Sequence, residues 1–229
     1  RFLRHFLHCG MNSDAQGKPV YDGVLAHIAG GRRGEFNHRF GQPSVQPTPS
    51  FGHLFPFTDT RQTDPQTNQS AGLLDACHAS DTAPKIIYTD TAAEYWRGDA
   101  SLAHTDLSAS RDAPPPANVR RYLYSGCQHS PGLLPLTFKN AFGTRGRNLF
   151  SFLDYRPLYR ASLENLRRWV VEGVEPPDSR YPSHSSKTAI TRAEGLEGLG
   201  QSGDDLVWFT VSKQRPLEER AGRGDVAPW

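Results

Sequence analysis

A glutamate and a histidine, each placed just after a predicted strand, are the residues of this chain best suited to chemistry. The first strand, residues 85–89, continues through Asp90 to Glu94. The second, residues 119–124, ends in small residues before His129. Both strands are rich in β-branched and aromatic residues. A carboxylate can hold an imidazole in the tautomer that takes a proton from a nucleophile, so the pair predicts an acyl-transfer base and its orienting acid.

Other assignments of the same residues stay open. Asp90 lies closer to the strand end, and Asp99 lies about one helical turn beyond Glu94, so either could be the acid. Glu94 could instead form a structural ion pair with Arg97 or Arg33. A lone loop histidine also commonly faces solvent. The small and aromatic residues around Glu94 favour burial, which is costly for a carboxylate without a donor partner.

Two further chemistries have weaker support. Cys127 could act as the nucleophile of a Cys–His dyad with His129. The two residues are only two positions apart, however, and neighbours that close along a loop seldom face each other. His27, Glu35 and His38 carry zinc-ligand side chains, but their spacing fits no known motif. We therefore predict no metal and no cofactor.

Composition limits the classes of partner. Among 229 residues, 26 are basic and 24 acidic, a formal net charge of +2 that argues against a nucleic-acid partner. No apolar run approaches the roughly 20 residues of a membrane helix. The three cysteines, Cys9, Cys77 and Cys127, are widely separated and give no disulfide framework. The cellular compartment and the oligomeric state are not predicted by these features.

The surrounding pattern predicts an α/β fold. An apolar helical pattern runs from Arg1 to Gly10, and residues 20–29 follow as a buried strand. A helix followed by such a strand is typical of a parallel sheet. A second long helix is predicted over residues 154–173, with an apolar face. Because no capping residue precedes Arg1, we expect the chain to be a piece of a longer protein.

Residues 32–84 show little regular patterning apart from a short helix over residues 71–78. Their prolines and aromatic side chains favour a lid-like insertion over the sheet edge. We expect Phe55 and Phe57, with Tyr95 and Trp96, to line a substrate pocket.

Several stretches resemble a bacterial family of α/β-hydrolase domain-containing proteins. The resemblance covers residues 1–182, and residues 183–229 form an unassigned tail. It is carried by Arg1-Phe2-Leu3-Arg4, Tyr21-Asp22-Gly23, residues 27–40, Phe55-Pro56-Phe57-Thr58-Asp59, residues 93–102, Gly126-Cys127-Gln128-His129, the helix 154–173 and residues 176–182.

The resemblance implies the C-terminal part of an α/β-hydrolase fold, in which a parallel sheet is flanked by helices. It also implies a serine elbow a few residues before Arg1, which would complete a Ser–Glu94–His129 triad. The expected activity is that of an esterase-type serine hydrolase acting on a small-molecule ester, with residues 1–229 alone inactive. The alternative is a non-catalytic α/β-hydrolase-fold protein that uses its pocket for binding.

Overall fold

A computed structural model describes residues 1–33, 55–96, 100–140, 143, 145–146 and 148–190. The helices are α1 (Phe2–His8), α2 (Asp75–Ala79), α3 (Ala92–Trp96) and α4 (Arg156–Glu172). The strands are β1 (Gly23–His27), β2 (Gln62–Thr63), β3 (Ser70–Ala71), β4 (Lys85–Thr91) and β5 (Val119–Tyr124).

The main sheet has the order β1–β4–β5, and both strand pairs are parallel. Strands β2 and β3 form a separate antiparallel pair. The central strand β4 is covered on both faces, and Ile86 and Ile87 are fully buried. A continuous apolar run is the expected sequence of such a strand. The predicted α/β class, with a parallel sheet flanked by helices, is confirmed.

Alternate residues of the strands face two different layers. On one face, α1 and α2 cover a core that contains Leu7, Val24, Ala26, Leu73, Leu74, Cys77, Ile86, Tyr88 and Val119. On the other face, Ile87 packs against Leu166 and Trp169 of α4. This two-faced burial fixes the register of β4, because a slip of one residue would exchange the side chains of the two layers.

Helix α4 matches its predicted position but not all of its predicted buried face. It ends at Gly173, whose φ of 70° is the left-handed conformation that favours glycine. Two leucines of its apolar face, Leu158 and Leu163, are 51% and 53% exposed. Ser162 is buried instead, and its hydroxyl lies 2.7 Å from the Tyr124 hydroxyl. This hydrogen bond satisfies the polar atom at a position facing the sheet.

The predicted lid segment is partly a structural layer. Leu73, Leu74 and Cys77 are fully buried in the core beside α1, so this part of residues 32–84 contributes to the core. Burial of its apolar side chains against the sheet is the reason. Residues 34–54 of the predicted lid lie outside the described residues.

The beginning of the predicted tail packs on the domain. The backbone N–H groups of His184 and Ser185 each donate to Asp112 at 2.8 Å. Residues 191–229 of this tail lie outside the described residues. In the described part of the chain, no helix is long and apolar enough to cross a membrane.

Candidate active site

The candidate site lies at the edge where the parallel strands end. Strand β4 ends at Thr91 and continues directly into α3, which places Glu94 in the first turn of that helix. Strand β5 ends at Tyr124, and its following loop carries His129. Because β4 and β5 are parallel neighbours, their following segments meet at one edge of the sheet.

Glu94 and His129 are hydrogen-bonded to each other. Glu94 Oε1 lies 2.7 Å from His129 Nδ1. The glutamate side chain is fully buried, whereas the histidine side chain is 48% exposed. Because a carboxylate only accepts, Nδ1 carries the proton in this bond, and Nε2 is the acceptor of the neutral ring. The arrangement is an imidazole that is open to solvent on one side and held by a buried carboxylate on the other.

The second carboxylate oxygen of Glu94 is held by Thr91. Oε2 accepts from the Thr91 backbone N–H at 2.8 Å and from its hydroxyl at 2.6 Å. This is the reciprocal part of a capping box, in which the third helical residue reaches back to the residue before the helix. The pattern Thr91-Ala92-Ala93-Glu94 could have identified Thr91 from the sequence, but the predicted strand ended two residues too early.

The loop that carries His129 is fixed by its backbone. The Tyr155 hydroxyl donates to the His129 carbonyl at 3.0 Å. The Ala92 backbone N–H donates to the Cys127 carbonyl at 3.0 Å, which ties the loop to the start of α3. Both bonds limit the freedom of the imidazole relative to Glu94.

The cysteine alternative is not supported. Cys127 is 3% exposed, and burial raises the pKa of its thiol. A raised pKa disfavours the thiolate, which is the nucleophilic form of cysteine.

Asp90 faces a different set of partners from Glu94. Its Oδ1 accepts from the Gly30 backbone N–H at 2.9 Å, and its Oδ2 lies 3.9 Å from Arg121 Nη1. Burial raises the pKa of this carboxyl above its usual range, while Arg121 acts in the opposite direction. Asp99, the other rival acid, lies outside the described residues, as does Arg97. Arg33 donates to the Phe55 carbonyl.

A buried charge network surrounds Asp59, and no pattern in the sequence indicated it. Asp59 Oδ2 lies 3.1 Å from Arg121 Nη2, and its Oδ1 lies 3.9 Å from Arg4 Nη1. The Tyr88 hydroxyl donates to Asp59 Oδ1 at 2.8 Å. Both guanidinium groups also lie over the Tyr88 ring, at 5.3 Å for Arg4 and 4.2 Å for Arg121. The network connects α1 with the central strands beside the candidate site.

His27 lies at the end of β1, close to the Glu94–His129 pair. Its Nδ1 is 2.8 Å from the Thr89 hydroxyl, and its ring lies 4.8 Å from the Tyr159 ring. Burial lowers the pKa of His27, while the charge of Glu94 opposes this shift. Its proposed metal partners, Glu35 and His38, lie outside the described residues. Within the described ranges, no group of three potential metal ligands occurs.

The four residues predicted to bind substrate occupy two environments. Phe57 is 4% exposed and packs with Leu102 and Leu107, and the Phe55 ring lies 6.2 Å from its own. Tyr95 and Trp96 are half-buried in α3, beside Glu94. Their contact with a substrate stays a prediction.

Tyr95 contacts a buried histidine, His104. Its hydroxyl lies 3.0 Å from Nε2 of His104, which is 2% exposed. Burial lowers the pKa of His104 to about 3, so this imidazole is neutral near pH 7. The Tyr181 ring lies 4.4 Å from the His104 ring.

Comparison with known proteins gives a match to one family. The alpha/beta hydrolase domain family matches residues 1–200. No curated protein and no solved structure matches the chain. The family match agrees with the parallel sheet of the fold. The chain therefore belongs to the alpha/beta hydrolase domain family.

Proposed function

We propose that this protein is a serine hydrolase of the esterase type, with His129 as the general base and Glu94 as the acid of the triad. The nucleophilic serine would be supplied by residues that precede Arg1. One observation carries the proposal: the fully buried Glu94 carboxylate lies 2.7 Å from the half-exposed His129 imidazole. A structural ion pair has no need of a titratable partner that is open to solvent.

The proposed chemistry is a two-step acyl transfer. His129 Nε2 takes the proton of the serine hydroxyl as its oxygen attacks the acyl carbon, and Glu94 stabilises the imidazolium that forms. The imidazolium then gives this proton to the departing alcohol. In the second step His129 takes a proton from water as the water attacks the acyl-enzyme, and the imidazolium returns this proton to the serine oxygen as the acid leaves. Backbone N–H groups would hold the oxyanion.

Burial of Glu94 supports this division of roles. A carboxylate in a water-poor setting interacts strongly with a positive charge that develops nearby. Three hydrogen bonds, two from Thr91 and one from His129, satisfy the carboxylate before the reaction. The acid therefore has little reorganisation to undergo when the imidazole becomes charged.

The proposed substrate is a neutral or weakly charged ester. The formal net charge of +2 offers no sign of a strongly charged pocket. Phe55, Phe57, Tyr95 and Trp96 supply aromatic surface, and Tyr95 and Trp96 directly follow Glu94 in α3. No cofactor is required for this chemistry.

The test uses the full-length protein and a fluorophosphonate probe, which labels activated serines. We expect labelling of one serine just before Arg1 and hydrolysis of p-nitrophenyl acetate. His129→Ala should reduce kcat by roughly 10³- to 10⁶-fold, because removal of the base disables the nucleophile. The matched control is His78→Ala, since His78 is an exposed histidine on α2.

Other outcomes would contradict the proposal. A residue without a nucleophilic side chain at the expected serine position would favour the non-catalytic binding protein. Full activity of His129→Ala would remove His129 from the mechanism. Hydrolysis by residues 1–229 alone would show that the upstream serine is not the nucleophile.

A further inference from the structure

Two segments between His129 and α4, residues 130–140 and 148–155, run side by side as the two limbs of a narrow loop. The Gly132 backbone N–H donates to the Ser151 carbonyl at 2.6 Å, and the Phe150 N–H donates to the Thr137 carbonyl at 2.9 Å. We call residues 132–138 and 149–153 the apolar ribbon. A Cβ atom at Gly132 would lie 2.9 Å from the Phe150 carbonyl oxygen, so the glycine permits the close approach of the two limbs.

The apolar ribbon exposes an unusual amount of hydrophobic surface. Of the sixteen large hydrophobic side chains that are exposed in the described residues, seven belong to it. They are Leu133 (55%), Leu134 (70%), Leu136 (43%), Phe138 (49%), Leu149 (47%), Phe152 (54%) and Leu153 (49%). Single exposed apolar residues are normal on protein surfaces, but a concentration of them marks a site of interaction.

The ribbon is attached to the candidate base at both of its ends. Its first limb begins three residues after His129. Its second limb leads to Tyr155, whose hydroxyl binds the His129 carbonyl. The Gln128 side chain donates to the Ser151 carbonyl at 3.0 Å, and Leu153 Cδ2 lies 3.6 Å from the Cβ position of Gly126. The apolar surface is therefore held in a fixed position relative to the imidazole.

We infer that the apolar ribbon binds the acyl chain of the substrate and selects esters of medium or long acyl chains. This inference rests on the proposed hydrolase function. The attachment to His129 favours an acyl chain over a bilayer or a second copy of the chain. The ribbon continues from the loop that carries the half-exposed imidazole and is bonded back to it, so an acyl chain lying on the ribbon would extend from an ester group held at His129.

The first experiment compares two substrates in the full-length protein. The double variant Leu134→Ser/Leu136→Ser should lower kcat/KM for p-nitrophenyl octanoate by roughly tenfold, since each buried methylene contributes about fourfold. The value for p-nitrophenyl acetate should change less than about twofold, because a methyl group does not reach the ribbon.

A matched control separates this effect from a general change in surface polarity. Val171 and Leu163 of α4 are 70% and 53% exposed. The double variant Val171→Ser/Leu163→Ser should leave the ratio of octanoate to acetate hydrolysis unchanged. An equal fall for both esters in the ribbon variant, or no fall, would overturn the inference.

The second experiment measures binding without turnover. A dansyl-labelled fatty acid should bind the wild-type protein, and the ribbon variant should bind it roughly tenfold more weakly. The variant could bind the probe more weakly while the wild-type protein hydrolyses neither ester. That outcome would contradict the hydrolase proposal and support acyl binding by the ribbon. Unchanged probe binding in a protein that hydrolyses acetate would contradict the ribbon inference alone.

Two results would assign the ribbon to another occupant and so overturn the inference. One is a loss of binding to phosphatidylcholine vesicles in the variant, with unchanged hydrolysis of the soluble octanoate ester. The other is a fall from dimer to monomer in light scattering, with unchanged octanoate selectivity.

Discussion

Two groups of buried carboxylates lie beside the central strand, and they differ in their partners. Glu94 pairs with His129, a titratable side chain that is half-exposed. Asp59 pairs with Arg4 and Arg121, and all three side chains are at most 1% exposed. In both groups a buried carboxylate has hydrogen-bonding or charged partners. Of the two groups, only the Glu94 group includes a partner side chain that is exposed to solvent.

This difference indicates separate roles for the two groups. A guanidinium group stays protonated at every pH that a folded protein tolerates, so the Asp59 network cannot exchange protons with a substrate. An imidazole changes its charge near neutral pH and can do so. The comparison supports the proposed chemistry at the Glu94 pair and indicates that the Asp59 network supports the fold.

The largest expected effect is on turnover at the first group. Glu94→Gln replaces the carboxylate with an isosteric amide that cannot stabilise the imidazolium, so kcat should fall by roughly 10²- to 10⁴-fold. Steady-state hydrolysis of p-nitrophenyl acetate by the full-length protein measures it. Asp90→Asn is the comparison, because Asp90 binds Gly30 and Arg121 instead of His129. A larger loss of kcat in Asp90→Asn would transfer the role of the acid to Asp90.

The next effect concerns stability at the second group. Asp59→Asn leaves two buried guanidinium groups with less negative charge, so the free energy of unfolding should fall by about 3–5 kcal/mol. Urea denaturation measures this change. Asp75→Asn is the control, because Asp75 pairs with an Arg61 side chain that is 69% exposed. Its cost should be about 0–1 kcal/mol. Similar costs for the two variants would refute the distinction between the buried and the exposed ion pairs.

A third test uses His104 as a buried counterpart of His129. Its folded-state pKa of about 3 lies below the ordinary value of 6.5, so the unfolded chain binds the proton more readily. The folded state is therefore destabilised relative to the unfolded state as the pH falls from 6.5 towards 3. Between pH 7 and pH 5 the wild-type protein should lose about 2 kcal/mol more than His104→Gln. Denaturation curves at the two pH values measure the difference, and parallel losses would show that His104 is not held neutral.

The smallest effect is expected at Thr91. Thr91→Val removes the hydroxyl donor to Glu94 Oε2 and keeps the backbone donor. The free energy of unfolding should fall by about 1 kcal/mol, with a modest loss of kcat. Thr67→Val provides a surface control, because the Thr67 hydroxyl donates to Asp64 on an exposed turn. An unchanged stability and kcat in Thr91→Val would remove Thr91 from the support of Glu94.

Local sequence patterns predicted part of this fold. The strands β4 and β5 and the helix α4 follow from runs of apolar residues, and the small and aromatic neighbours of Glu94 indicated its burial. The pairing of Glu94 with His129 could be anticipated because parallel strands end at a common edge.

Other features depend on contacts that no local pattern encodes. Arg4 and Asp59 come from distant parts of the chain, and an arginine within an apolar helix gives no sign of its partner. Ser162 is buried on a helix whose neighbouring leucines are exposed, because the Tyr124 hydroxyl can reach it. The apolar ribbon shows no helix or strand pattern in the sequence, and its exposed apolar surface follows from the pairing of its two limbs.

The three free cysteines have a practical consequence for experiments on this molecule. Cys9 is exposed, whereas Cys77 and Cys127 are buried in different regions. Cys77 lies in the core between α2 and the sheet, and Cys127 lies in the loop that carries His129. Pulsed alkylation followed by mass spectrometry would therefore time the opening of these two regions separately, with Cys9 as an internal reference and without any engineered label.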